Sequence, residues 1–381
     1  MSNFLSCNAG CTLAKSVSLP WSGKLKEKAE NLLTKVKNYE EFQHEVANQS
    51  LSRLTKTIEG LNNFQKINYK RTLSNPPAIW QEGSSQLLAY EGKKDGPVIL
   101  FVPSLINRSY ILDLSEKNSL MRFLSERGMN GLLLDWGEPG EEEKEYGLEQ
   151  YIDRVHRSIK TARKKYGKKI ILSGYCMGGL IALAETLRSR NDIKAMALLA
   201  TPWDFHSADI GKLPLNETTV HLFKGLWEEN RKISGQLVYQ LFCLLNPWAV
   251  HDKYARFAQL KPDSKEAKNF IERETWLHDQ VSLTANVAKE CFSDLAAYNF
   301  TAKEKWKIKG KTIDPREVSV PAFIAMPRND KIVPPLCAGP LSLLIPNAKT
   351  IFSDSGHIGM IVGRKAKEQL WFPLENWLHK L

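Results

Sequence analysis

The stretch Ser173-Gly174-Tyr175-Cys176-Met177-Gly178-Gly179 decides how this chain is interpreted. An apolar run at residues 170–172 precedes it, and a helix-like segment at residues 180–185 follows. Together they have the Gly-x-nucleophile-x-Gly pattern of a sharp strand-to-helix turn, with cysteine in the nucleophile's place. Glycines two residues either side of Cys176 are needed, because the strained backbone of such a turn tolerates only small neighbours. The turn would present the thiol at a helix N-terminus, where the backbone dipole favours a thiolate.

A buried structural cysteine in a glycine-rich turn is the alternative interpretation, and the residues downstream weigh against it. A nucleophile of this kind expects an acid and then a histidine, each on a loop after a later strand. Asp330 follows the apolar run 321–326, and His357 follows the short run 349–352. The histidine can take the thiol proton while the carboxylate fixes its tautomer. Asp354 is a rival acid that ranks second, because it shares the loop of the histidine.

Two hydrogen-bond donors should face the oxyanion that forms during acyl transfer. One is the backbone N–H of Met177, the residue after the nucleophile. The other should come from the loop after the predicted strand 98–102, from the amide of Ser104, Leu105 or Ile106. The sequence leaves the choice among these three amides open.

Cysteine in place of serine favours acyl transfer over simple hydrolysis. An acyl group carried by coenzyme A is a thioester, so moving it to a cysteine exchanges one thioester for another at little change in free energy. The acyl group therefore stays activated for a second transfer.

With these residues the chain resembles the polyhydroxyalkanoate synthases, which are cysteine acyltransferases of the α/β-hydrolase fold. The resemblance covers about residues 76–381 and is strongest for the shorter synthases that work with an accessory subunit. Beyond the cysteine turn, it rests on five segments, with the exception that Lys331 stands where the family usually has histidine. These segments are residues 102–114, 133–137, 201–205, 330–334 and 356–359.

The resemblance implies a role for each site residue. Cys176 would be the covalent nucleophile, His357 its base, and Asp330 the residue that assists activation of the incoming hydroxyl. The substrates would be 3-hydroxyacyl-coenzyme A and the growing polyester chain, so coenzyme A is a product and no cofactor is expected. The partners compatible with the resemblance are an accessory synthase subunit, a second copy of the chain in a homodimer, and the surface of a polymer granule.

The predicted fold class is α/β, with a mostly parallel sheet covered by helices. Apolar strands alternate with helical segments from about residue 76, which is typical of such a sheet. We divide the chain into a polar helical N-terminal extension (1–75), a catalytic core (76–205 and 316–381) and a helical cap inserted between the sixth and seventh strands (206–315). The cap should lie over Cys176 and limit the access of water.

Composition sets broad limits on location and ligands. The chain has 381 residues and a formal net charge of +11, which suits a polyanionic acyl-coenzyme A or an anionic surface, although solvated lysines account for most of it. No nucleic-acid motif accompanies the charge. The six cysteines form no disulfide framework and no metal-binding pattern, which predicts a reducing compartment. We expect a cytoplasmic protein without export signal, transmembrane span or metal ion.

Two other functions remain open at this stage. A cysteine-dependent thioesterase or esterase could use the same residues and admit water, and its product would be a free acid instead of a polymer. A non-catalytic granule-associated or subunit-binding protein could keep the fold, although the intact set of three residues weighs against this.

Overall fold

The computed structural model describes residues 23–207, 220, 225, 231–245 and 247–381. The chain divides into two compact units, one made of Met1–Tyr69 with Asn246–Ile271 and the other of Lys70–Leu245 with Glu272–Leu381. The second unit contains every predicted site residue.

Within the described residues, eight strands form one sheet in the order β1-β2-β4-β3-β5-β6-β7-β8. Strand β2 is antiparallel to β1 and to β4, and the other neighbours are parallel. The predicted α/β fold class is thereby confirmed. The strands are β1 (Ala78–Glu82), β2 (Ser85–Tyr90), β3 (Val98–Val102), β4 (Asn130–Asp135), β5 (Ile170–Tyr175), β6 (Ile193–Leu199), β7 (Ala322–Pro327) and β8 (Lys349–Ser353).

Helices connect and cover the strands, and the described part of the chain also contains two π-helical segments, two 3-10 helices (Ser109–Leu112 and Pro315–Glu317) and three short two-stranded ladders. The π-helical segments are Glu290–Ala297 and Lys367–Trp371. The α-helices are α1 (Gly23–Leu33), α2 (Tyr39–Gln65), α3 (Leu120–Glu126), α4 (Leu148–Tyr166), α5 (Met177–Arg188), α6 (Gly235–Leu245), α7 (Pro247–Phe257), α8 (Lys265–His278), α9 (Ala285–Lys289), α10 (Pro335–Leu344), α11 (His357–Val362) and α12 (Phe372–Leu378).

The central strands are mostly apolar because helices cover both faces of the sheet. In β3 all five residues are buried, and successive side chains point to opposite faces. Val98, Leu100 and Val102 join the core on the side of α4 and α5. Ile99 and Phe101 join the core on the side of α3, α11 and α12. This double core fixes the carboxyl ends of β3, β5, β7 and β8, from which the site residues project.

The first unit is helical and has an aromatic core of its own. Helix α2 packs along α7, and Gly60 allows close contact because a Cβ atom there would lie 2.0 Å from the backbone oxygen of Tyr254. Phe64 meets the rings of Tyr254, Phe257 and Phe270 edge-on. None of the helices in the described ranges is long and apolar enough to cross a lipid bilayer.

The predicted three-part division of the chain stays a prediction. Of the predicted cap, residues 246–271 group with the N-terminal helices, and residues 231–245 and 272–315 belong to the unit that contains the sheet. Residues 208–219, 221–224 and 226–230 lie outside the described part of the chain, as do residues 1–22 of the predicted N-terminal extension.

Glu290 links the start of α4 to the π-helix Glu290–Ala297. Its carboxylate accepts a hydrogen bond from the Leu148 N–H at 3.1 Å. Burial raises the pKa of Glu290 to about 7; the bond from Leu148 opposes this change, and the charges of Asp294 and Glu149 add to it. The folded protein therefore binds this proton more tightly than the unfolded chain does, where the pKa is about 4.3.

We predict that Glu290 makes stability fall as the pH rises from about 4.5 to about 7. Its contribution is fully present below the unfolded pKa and is lost as the pH passes through the folded pKa. Glu290→Gln keeps the acceptor oxygen but removes the titration. As the pH rises across this range, the urea midpoint of the wild type should therefore fall relative to that of the variant. Glu126→Gln, at an exposed glutamate on α3, is the control. A constant difference between Glu290→Gln and the wild type would contradict the assignment.

Candidate active site

The backbone at Cys176 has the strained conformation that the sequence predicts. Strand β5 ends at Tyr175, helix α5 begins at Met177, and Cys176 between them has φ 56° and ψ −127°. Positive φ is uncommon for a residue other than glycine, and such a residue costs on the order of 1–3 kcal/mol. Hydrogen bonds from Cys176 N to Leu199 O at 2.8 Å and from Gly179 N to Cys176 O at 2.9 Å hold the turn.

The flanking glycines are required by close backbone approach. A Cβ atom at Gly174 would lie 2.4 Å from the Cα atom of Gly179. One at Gly178 would lie 2.2 Å from the carbonyl oxygen of Val102 at the end of β3. Glycine at these two positions therefore lets α5 start close to both β3 and β5. As a result, the N-terminus of α5 lies next to Cys176.

The structure brings His357 to both Asp330 and Cys176. His357 is the first residue of α11, and its Nδ1 atom lies 2.6 Å from Oδ2 of Asp330. The Cys176 thiol is the other group near this ring, and its charge as a thiolate would raise the pKa of His357. Oδ1 of Asp330 accepts the backbone N–H groups of Ile332 at 2.8 Å and Val333 at 2.9 Å. Both oxygens of the carboxylate are therefore occupied, one by His357 and one by the backbone.

The surroundings of His357 favour its charged form. Burial by itself lowers the pKa of His357, but the negative charges of Asp330 and of a Cys176 thiolate, with their hydrogen bonds, outweigh it. The pKa is raised well above the usual 6.5. An imidazolium beside the thiol stabilises a thiolate, which is the nucleophilic form of cysteine.

Asp354, the rival acid, and Lys331, the unusual lysine, both lie away from the hydrogen-bonded pair of Asp330 and His357. The Asp354 side chain is 57% exposed, lies 3.5 Å from Arg328 and bonds with Gln369. Lys331 is exposed, although its neighbour Asp330 is buried. In the loop after β7 the backbone thus turns the carboxylate inward and leaves the lysine in solvent.

Of the other cysteines, Cys291 and Cys337 are buried near Cys176. Burial raises the pKa of Cys337 to about 12 and that of Cys291 well above its usual value, so both stay neutral thiols at physiological pH. Cys243 is partly buried, and Cys7 and Cys11 lie outside the described residues. Among the described cysteines, the strained turn and the histidine distinguish Cys176 as the nucleophile candidate.

The predicted oxyanion donors are placed at the same end of the sheet. Met177 is the first residue of α5, so its N–H is among the first four of the helix, which have no partner within it. In the loop after β3, the Ile106 N–H donates to the Ser104 hydroxyl at 3.2 Å. Leu105 is buried in the core beside α4 and α5. Of the three loop amides, that of Ile106 is therefore already engaged.

Three side chains at the site were not assigned roles from the sequence. The Tyr175 ring lies 5.1 Å from that of His357, and the Cys291 thiol lies 3.0 Å from the Met177 sulfur. Cys291 brings the π-helix, which belongs to the predicted cap, against the start of α5. The Trp136 indole N–H donates to the Pro103 carbonyl at 3.1 Å. The sequence signal for Trp136 was its place in the segment 133–137, and Tyr175 lies inside the cysteine turn itself.

No group of three or more histidine, cysteine, aspartate or glutamate side chains that could hold a metal ion occurs among the residues that the structure describes.

Comparison with known proteins identifies the family. Residues 97–364 match the family described as "alpha/beta hydrolase fold". The chain belongs to this family. Residues 25–124 match "Poly-beta-hydroxybutyrate polymerase (PhaC) N-terminus", which extends the similarity into the N-terminal helices. The resemblance to polyhydroxyalkanoate synthases is thereby confirmed.

Curated relatives are identical to this α/β-hydrolase family member at about a quarter of the aligned residues. A "Poly(3-hydroxyalkanoate) polymerase subunit PhaC" of Haloferax mediterranei is 26% identical over 78% of this chain, which spans only 62% of that relative. The protein of the same name from Allochromatium vinosum is 25% identical over 86% of this chain and 94% of its own length. Among solved structures, a Paleococcus ferrophilus monoacylglycerol lipase covers 77% of this chain and 98% of its own at 18% identity, with a TM-score of 0.52. That likeness shows the fold.

We predict that Trp136 stabilises the loop after β3, where the sequence predicts the second oxyanion donor. Trp136→Phe leaves the Pro103 carbonyl without its indole donor, which should lower the free energy of unfolding by about 1–3 kcal/mol. Trp306→Phe is a matched control: Trp306 is also buried, but in the described part of the chain its Nε1 atom has no hydrogen-bond partner. Urea unfolding of both variants measures the difference. An equal loss in the two variants would mean that the bond to Pro103 contributes nothing.

Proposed function

We propose that this chain is a cysteine acyltransferase of the polyhydroxyalkanoate synthase type, which polymerises 3-hydroxyacyl-coenzyme A into polyester and releases coenzyme A. The observation that carries the proposal is the hydrogen-bonded His357–Asp330 pair near Cys176, which occupies a strained strand-to-helix turn. The similarity to poly(3-hydroxyalkanoate) polymerase subunits over most of the chain supports the substrate class.

In the first step the enzyme takes up an acyl group. The Cys176 thiolate attacks the thioester carbonyl carbon, and the resulting oxyanion accepts the Met177 N–H and a second amide from the loop after β3. The carbon–sulfur bond to coenzyme A then breaks, and the leaving thiolate takes the proton held at Nε2 of His357. The acyl group remains on Cys176 as a thioester, and His357 is left neutral.

In the second step the acyl group moves to the end of the growing chain. Neutral His357 takes the proton of the terminal hydroxyl as its oxygen attacks the thioester carbonyl. The bond to Cys176 breaks, its sulfur leaves as the thiolate, and the hydroxyl proton stays on His357, which restores the pair that began the first step. Both oxygens of Asp330 are engaged by His357 and by backbone amides, so Asp330 acts on the hydroxyl through the histidine.

The proposal extends to the partners. The Allochromatium relative is named as a subunit, and this chain spans nearly all of its length, which supports an accessory synthase subunit as a partner. A water-insoluble product that stays attached to Cys176 would also keep the enzyme at the surface of a polymer granule. A homodimer is compatible with both arrangements.

We predict that the purified chain, supplied with 3-hydroxybutyryl-coenzyme A, releases coenzyme A and forms polymer in step with it. Cys176→Ala should abolish both the acyl-enzyme and the polymer because the nucleophile is lost. Cys243→Ala is the control, because Cys243 lies outside the strained turn, and this variant should retain activity. Free 3-hydroxy acid as the main product, with an accessory subunit supplied, would assign the chain to the thioesterases instead. Labelling that persists in Cys176→Ala would refute the nucleophile.

We predict that His357→Ala loses acyl loading, whereas Asp330→Asn slows elongation more than loading. Loading needs only a thiol proton to be removed, from a group whose ordinary pKa is about 8.5. Elongation needs a hydroxyl proton to be removed, from a group closer to water at about 15.7, and so depends more on the strength of the base. Single-turnover acylation and steady-state elongation separate the two steps. An equal loss of both rates in Asp330→Asn would show a purely orienting carboxylate.

A further inference from the structure

Tyr175 is the residue immediately before Cys176, and it takes no part in the proposed acyl transfer. It is the last residue of β5, pairs in register with Leu199 of β6, and is only 3% exposed. Its side chain belongs to the core on the side of α3, α11 and α12, the face from which α11 brings His357.

Tyr175 contacts His357 in two ways. Its hydroxyl donates to the backbone carbonyl of His357 at 3.2 Å. Its ring centroid lies 5.1 Å from the imidazole centroid, with the ring planes tilted by 30°, which is within the range of a direct ring contact. One side chain thus touches both the backbone and the ring of the histidine.

The first contact fixes where α11 begins. The first carbonyl of an α-helix accepts the N–H four residues on, and a second lone pair remains for another donor. The Tyr175 hydroxyl fills that place from β5, the strand that also carries Cys176. The hydroxyl remains a neutral donor, because burial, together with the charges of Cys176 and Asp330, raises the pKa of Tyr175 well above 10.

The second contact bears on the charge of the ring. The face of an aromatic ring within about 6 Å attracts a cation, so stacking on Tyr175 favours imidazolium over imidazole. The other groups that face His357 in the described residues are Asp330, at Nδ1, and the Cys176 thiol. Tyr175 completes the surroundings of the ring on the side of the sheet.

We propose that Tyr175 is a positioning residue that holds His357 between Asp330 and Cys176, its hydroxyl fixing the start of α11 and its ring supporting the imidazolium. This rests on the assignment of Cys176 and His357 in the proposed function, but not on the identity of the acyl substrate. It deepens that function, because the turn that carries Cys176 would then also position His357 directly through Tyr175.

The test is alkylation of Cys176 in the full chain by iodoacetamide, with the rate measured from about pH 5 to pH 9. The rate in Cys176→Ala is subtracted so that the remaining cysteines do not contribute. The assay uses no acyl-coenzyme A and therefore separates this inference from the proposed polymerase function. A chain that made free acid could still support it.

Two variants separate the two contacts. Tyr175→Phe keeps the ring and loses one hydrogen bond, so the rate at pH 7 should fall about two- to tenfold without a shift of the pH profile. Tyr175→Leu loses the ring as well, and the rising limb of its profile should move to higher pH by about half a unit because the imidazolium is less favoured. A residue that served the core alone would lower stability and leave the profile in place.

Tyr90→Phe is the matched control. Tyr90 is also a buried tyrosine in the same core, and its hydroxyl donates to Asp113 at 2.9 Å, outside the site. It should lose stability comparably, as measured by urea unfolding, and keep the wild-type alkylation rate and profile. If Tyr175→Phe behaves like Tyr90→Phe, the role of the hydroxyl is refuted. If Tyr175→Leu folds and keeps the wild-type profile, the role of the ring is refuted; should it fail to fold, Tyr175→Met provides the same comparison.

Discussion

The left-handed backbone at Cys176 is the constraint on which the rest of the site depends. A non-glycine residue keeps such a conformation only where its surroundings over-determine it. Here β5 and β6 fix the turn on one side, and the start of α5 against β3 fixes it on the other. The same arrangement that strains Cys176 also places the Met177 amide at the helix N-terminus. The strained turn and the positions of the proposed nucleophile and oxyanion donor therefore have one structural cause.

The charge state of His357, the proposed base, depends on a second condition, which is the balance between its burial and the charges near it. A buried histidine without partners would be neutral, because removal from water disfavours its charged form. Asp330 reverses this, since its own charge is held by two backbone amides and needs no further cation. The result is a histidine that carries a proton beside a thiol. The charge arrangement suits thioester exchange, in which the leaving thiolate takes up that proton.

The fold alone does not choose between transfer and hydrolysis. A monoacylglycerol lipase shares the architecture of this chain at 18% identity, and such a likeness shows the fold alone. The distinction is carried by particular residues. Cysteine keeps the acyl group activated, and the π-helix that places Cys291 against Met177 brings apolar side chains to the start of α5. Both features favour an acyl group that waits for a second substrate over one that is released to water.

The sequence by itself determined the α/β class, the alternation of strands and helices along the chain and the candidate site residues, because these follow from local patterns. Apolar runs alternating with helices specify a covered parallel sheet, and glycines around Cys176 specify a turn that no bulkier residue could form. The sequence ranked Asp330 above Asp354, and the tertiary structure places Asp330 at Nδ1 of His357 and leaves Asp354 exposed. Tertiary structure alone decided that residues 246–271 group with the N-terminal helices, that Tyr175 contacts His357 and that Trp136 contacts Pro103. Contacts between residues far apart in the chain depend on the path of the backbone in three dimensions, and no spacing along one segment encodes them.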